Sequence, residues 1–297
     1  RGTPAWRNSR VQTLCAPLQI IALVVGLLAL PGCSTLKLAY SFADNMLKDT
    51  AGSYLDLSAK QSERLSQQAT ALISWHRTVM LPKYASFFRA QADIVQAGGW
   101  TRAQLKSAIR RFRSLLEKTV EDASPLIAEV LMEHTSPQKL AYLEARMTEN
   151  LTKRRANEAD KTQIVLIGEW VERRVESISR FTGPLTGTQV AIIQGYAENR
   201  PGTVMRWLEN REHRQNAFLA FLRNRPKKTE IAAFVSRIIL RAHEVVDPDY
   251  RAISDARWAL LEAMCYKVSA TLDDEQRKQL MTTLRSYAAD MVELAGD

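Results

Sequence analysis

Five times along the chain a residue with a side-chain acceptor stands three positions ahead of a glutamine: Ser58-x-x-Gln61, Thr101-x-x-Gln104, Thr135-x-x-Gln138, Thr186-x-x-Gln189 and Asp273-x-x-Gln276. This is capping-box spacing. The acceptor bonds an amide in the first helical turn, and the glutamine bonds back to the amide of the cap. Leu57, Leu185 and Leu272 precede three of the boxes and Trp100 a fourth, where a hydrophobic staple sits. Between the boxes apolar positions recur in steps of three and four, as in Leu65, Ala69, Leu72, His76, Val79 and in Leu280, Leu284, Tyr287, Met291, Leu294. Comparable faces run through Leu105, Ile109, Phe112, Leu116, Val120, through Leu140, Leu143, Met147, Leu151 and through Ile253, Leu260, Met264, Val268. No stretch alternates with period two for long enough to suggest a sheet. The expectation is an all-α fold, an antiparallel helical bundle with long helices.

Helix stops are expected at Gly98-Gly99, near Pro125, at Gly183-Pro184, around Pro201-Gly202, at Arg225-Pro226 and at Asp247-Pro248, with Pro248 in the first turn after an Asp247 cap. From Thr135 to Phe181 the only glycine or proline is Pro137 or Gly168. One continuous helix there would run about 70 Å. Its midpoint, Thr152 to Thr162, has no large apolar residue, and the apolar face resumes with Ile164, Ile167, Val171, Val175 and Ile178. The expected layout is a long helix solvated at its centre, joining helical subdomains at 57–151 and 152–297.

The segment before the helices has a different character. Arg1, Arg7 and Arg10 supply positive charge without any acid, and Ala16 to Leu30 is apolar but for Gln19. The run is short of the roughly 20 residues that span a bilayer and has the form of a secretory leader over residues 1–32. It ends in Leu30-Pro31-Gly32-Cys33, which resembles the lipobox of bacterial lipoproteins. The resemblance implies cleavage between Gly32 and Cys33, a diacylglycerol and an N-acyl chain on Cys33, and no other cofactor. Ser34 in place of an aspartate implies the outer membrane, periplasmic face. Residues 33–56 are then a lipidated, membrane-proximal segment. With Cys15 in the leader and Cys33 acylated, Cys265 is the one free thiol of the mature chain, placed beside Met264 on an apolar face as core filler.

Further on, Cys33-Ser34, Leu38-Ala39-Tyr40, Asp56-Leu57-Ser58-x-x-Gln61 and Trp75-His76-Arg77 followed by Leu81-Pro82-x-Tyr84-Ala85 together resemble an uncharacterised family of bacterial lipoproteins. The resemblance is specific over about residues 33–90; it implies an envelope location and a helical fold, and no activity. The repeated boxes are also similar to the Leu-Thr-x-x-Gln signature of small helical periplasmic stress chaperones.

Candidate chemistry is sparse. His76 occupies a core position beside Trp75 and Arg77, and with Pro82 and Tyr84 these residues form the candidate site. A buried imidazole there serves as a base, as a pH-sensitive bond, or as a core histidine that fixes the Pro82 bend. His134, His213 and His243 are isolated, and no metal, phosphate-loop or nucleophile-elbow motif occurs. The carboxylate pairs Glu169/Glu172 and Glu209/Glu212, with Arg173, Arg174, Arg211 and Arg214 nearby, read as surface ion-pair networks. Without the three leader arginines the chain retains 38 basic against 32 acidic residues. A stripe of Arg102, Lys106, Arg110 and Arg113 on one helix face, and the cluster Arg223, Arg225, Lys227, Lys228, suit anionic lipid headgroups, envelope polymers or acidic proteins. Export excludes nucleic acid. The reading is a non-enzymatic binding, assembly or chaperone-like module anchored to the membrane. The alternative, an envelope hydrolase or transferase around His76, requires a polar cleft with an acid or nucleophile within reach of the imidazole.

Overall fold

The computed structural model describes the backbone of residues 33–296 and side chains from Leu36 onward. The expected leader, its cleavage point at Gly32 and the acylated side chain of Cys33 lie outside the described residues. Every regular element among them is helical: α1 (Cys33–Ser41), α2 (Ala43–Gly52), α3 (Ala59–Trp75), a π-helical turn (His76–Met80), α4 (Leu81–Gln96), α5 (Arg102–Met132), α6 (Pro137–Ala159), α7 (Gln163–Thr182), α8 (Gly187–Asn199), α9 (Val204–Arg223), α10 (Lys228–Leu240), a 3-10 turn (Ala242–Glu244), α11 (Tyr250–Ala270) and α12 (Asp274–Gly296).

The capping boxes of Ser58, Thr101 and Thr186 start α3, α5 and α8 with both reciprocal bonds made. Asp273 and Gln276 exchange the same pair of bonds at the start of α12. The fifth box is displaced. Ser136, not Thr135, caps α6, because Pro137 needs no amide partner and fits the first helical position.

α12 lies along α4 in the most extensive helix pairing of the fold. The Arg77 Nε donates to the Leu294 carbonyl at 2.8 Å, while Arg285 reaches Asp93 at 3.2 Å, so the two helices run antiparallel. α6 and α9 are likewise antiparallel, joined by Glu144–Arg223 and Arg155–Glu212 ion pairs. The largest core combines α1 to α6 with α9, α10 and the end of α12. A second core holds Val171, Ile193, Tyr196, Ala197, Met264 and Val268, and a third brings Ala92 and Val95 against Leu272, Leu280 and Leu284. A boundary at 151/152 therefore runs through the largest core.

Two expectations are corrected. Pro125 does not stop a helix; it lies inside the 31-residue α5. Pro125 and Glu121, whose carbonyl loses its partner, are both on the exposed face, where water replaces the missing bond. Nor is 135–181 one helix. It breaks at residues 160–162, and Thr162 caps α7 through the Val165 amide. With no apolar side chain to bury there, packing does not hold the two halves collinear, and Ile164 is left 82% exposed.

Candidate functional site

α3, the π turn and α4 follow one another without a loop, and the cause of the π turn is Pro82. Proline has no amide hydrogen, and in an α-helix its ring would collide with the carbonyl four residues back, that of Thr78. The backbone widens instead, and the Leu81 amide donates to the His76 carbonyl, five residues back. The extra residue shifts the register of the apolar seam. Val79, expected inward, is exposed, and Met80 is fully buried in its place.

His76 is 1% exposed. Its Nδ1 shares a 2.7 Å hydrogen bond with the Tyr40 hydroxyl of α1. With the phenol donating, the ring proton sits on Nε2, which is buried and meets no acceptor among the described residues. Tyr40 stacks on the imidazole, Trp75 meets it edge-on, and Tyr84 lies 5.9 Å away with its hydroxyl 2.8 Å from Thr119 Oγ1. Burial pushes the imidazole down to about 4. The Tyr40 phenol is held well above its usual range, by burial first and by Tyr84 second. The cluster thus brings together Trp75, His76 and Tyr84 from the candidate site, while Arg77 turns to α12 and Pro82 acts through the backbone. Sequence reasoning missed Tyr40 as the imidazole's partner, although its Leu38-Ala39-Tyr40 segment carried the signal. Among the described residues His76 lines none of the four best-formed cavities, and no carboxylate bonds it. The arrangement stores a neutral imidazole in a sealed aromatic core and offers no face to a substrate.

Elsewhere, Arg102, Lys106, Arg110 and Arg113 are all exposed on α5. Arg113 stacks over the Trp258 ring at 4.4 Å, whereas no carboxylate pairs with the other three among the described residues. Arg173 pairs with Glu169 as expected, while the other ion pairs have different partners: Glu169 also meets Lys161, Glu209 meets Arg206, and Glu212 meets Arg155. Arg211 and Arg214 turn inward and are buried, so they take no part in a surface network. Arg223 and Lys228 are engaged by Glu144 and Glu129. Cys265 is partly buried in the second core, which raises its thiol. Among the described residues no group of three His, Cys, Asp or Glu is placed to hold a metal ion, and no helix is long and apolar enough to cross a membrane.

Fold and cluster together define an all-α protein organised around a continuous α–π–α helix. The chain belongs to a family of unknown function, DUF6279, whose match covers residues 53–251. No curated protein and no solved structure matches it.

Proposed function

We propose that the protein is a lipid-anchored lipoprotein of the bacterial envelope, held by acyl chains on Cys33 at the periplasmic face of the outer membrane, and that it acts as a binding or assembly module with chaperone-like character. One observation carries this reading. Leu38, Phe42 and Met46 are 57%, 54% and 43% exposed, and they recur every fourth residue from α1 into α2, beginning five residues after Cys33. An apolar ridge of this kind is unfavourable in water and favourable at a bilayer interface, where it adds to the affinity of the acyl chains. The partner-facing surface is the α4–α5 hairpin. Residues 83–113 carry seven basic side chains against one acidic, Asp93, and that acid is already paired with Arg285. Anionic envelope polymers suit it.

Mass spectrometry of the mature N-terminus tests the anchor: a triacylated Cys33 is expected, and an unmodified Cys33 or a retained 1–32 segment overturns it. Crosslinking in living cells from hairpin positions tests the partner surface. Crosslinks to envelope components are expected, and crosslinking no different from that at a remote surface position refutes the binding role.

A further inference from the structure

A half-open cavity of about 480 Å³ lies between α9 and α11, within the 300–1,000 Å³ range of small-molecule sites. Tyr196, Trp207 and Trp258 form its apolar walls, and Arg214, Arg257 and Asn210 supply polar groups; no Asp or Glu lines it. Two of the polar residues are more than nine-tenths buried and incompletely bonded. No acceptor meets Arg214 Nε or Asn210 Nδ2 among the described residues. Arg257 spends Nε on the Pro201 carbonyl and Nη1 on the Tyr250 hydroxyl, both neutral acceptors. Behind Trp207, Arg211 is also buried, and among the described residues it bonds only the Asn150 amide oxygen. Of the two carboxylates of the adjoining loop, Asp247 is already held by Arg206 at 2.6 Å and by the Tyr250 amide, and Asp249 is exposed and does not line the cavity.

Buried guanidinium groups without a counter-ion are strongly unfavourable, and proteins retain them where a ligand supplies the charge. We propose that this cavity binds an organic oxyanion with a flat apolar body, a carboxylate or phosphate meeting Arg214 and Arg257 while the rings of Tyr196, Trp207 and Trp258 enclose the body. The guanidinium fork is matched to either oxyanion, and aromatic walls favour a planar body over an extended chain. The site is separate from the membrane ridge and adjoins the basic hairpin where Arg113 stacks on Trp258, so it stands whether or not the anchor does.

Calorimetric titration of the full chain tests it with 2-naphthoate, 1-naphthyl phosphate and the neutral 2-naphthalenemethanol. The expected result is one anion bound per chain, with the neutral alcohol about tenfold weaker or worse and Arg214→Met reducing anion affinity by a similar factor. The tighter of the two anions identifies the head group. Ser254→Trp, which fills the cavity from half-buried α11, is expected to abolish binding with the helical circular dichroism unchanged. It decides the matter if Arg214→Met fails to fold. Absence of saturable anion binding, equal binding of the alcohol, or undiminished binding to Ser254→Trp overturns the proposal.

Discussion

The side-chain amides of Gln189 and Gln276 hydrogen-bond each other in both directions, at 2.7 and 2.9 Å, in a site where each is almost completely buried. Each also completes the capping box of its own helix. The Gln189 oxygen accepts from the Thr186 amide and its nitrogen donates to the Thr271 carbonyl, while the Gln276 oxygen accepts from the Asp273 amide and its nitrogen donates to the Pro184 carbonyl. Every donor and acceptor of the pair is used. The starts of α8 and α12 are therefore locked to one another by the same glutamines that begin them.

Replacing either glutamine with alanine strands polar groups of its partner in the interior, at a cost of about 1–3 kcal/mol. The two substitutions share a network, so the double variant is expected to lose clearly less than the sum of the singles. Urea unfolding of the four proteins of the cycle measures this, and additive losses would show that the glutamines act as independent caps.

The His76 imidazole titrates near 4 in the folded protein because burial disfavours its charged form, against an ordinary value of 6.5. The unfolded chain thus takes up the proton first as pH falls. The contribution is complete above about pH 6.5 and is lost progressively as pH drops toward 4, by roughly 3 kcal/mol in all. Unfolding midpoints between pH 7.5 and 4 should fall steeply in the parent and less steeply in His76→Gln. Identical slopes would refute this assignment.

Tyr40→Phe removes the hydroxyl that meets His76 Nδ1 and leaves both imidazole nitrogens without a partner in the interior. A loss of about 1–3 kcal/mol is expected in chemical unfolding. A variant as stable as the parent would mean that the hydrogen bond makes no net contribution.

Gly202 has φ +75°, and a Cβ there would stand 3.1 Å from Ile253 Cγ2 and from Arg257 Nη2. Gly202→Ala combines backbone strain with this crowding, and a loss of about 1–2 kcal/mol is expected. At this chain length that lowers Tm by a few degrees. Arg257 must also move, so the naphthoate affinity of the α9–α11 cavity falls with it, whereas Gly187→Ala in α8, with open space around its Cβ, leaves both unchanged.

Reversing Arg102, Lys106 and Arg110 to glutamate removes exposed charges that have no ion-pair partners among the described residues. Stability should change by no more than about 0.5 kcal/mol per site. Co-sedimentation with purified anionic envelope polymer should be lost, and parent binding should weaken sharply as salt is raised. Salt-insensitive sedimentation by the parent would show that the hairpin does not bind through charge.

Much of the architecture was legible in the order of residues, because helix starts are local chemistry. A cap and its glutamine lie three residues apart whatever the rest of the chain does, and four of five boxes lie where they were expected. The failures came where local signals had to be weighed against surroundings. Pro125 reads as a stop, yet its freed carbonyl faces water, and the cost is small enough for α5 to continue. The polar stretch at 152–162 is compatible with helix, yet nothing packs on it, and the chain turns.

The candidate site divides in the same way. Sequence alone determined that Trp75, His76 and Tyr84 lie close to a proline-marked irregularity in a helix, since all four are within eight residues of His76. Only the tertiary structure decided that Tyr40, 36 residues away, hydrogen-bonds the imidazole, that one π turn replaces Val79 with Met80 in the core, and that Arg211 and Arg214 turn inward. The physical reason is range. Capping and periodicity are settled by neighbours a few bonds away, while the burial of a charge or an imidazole depends on which helices close over it.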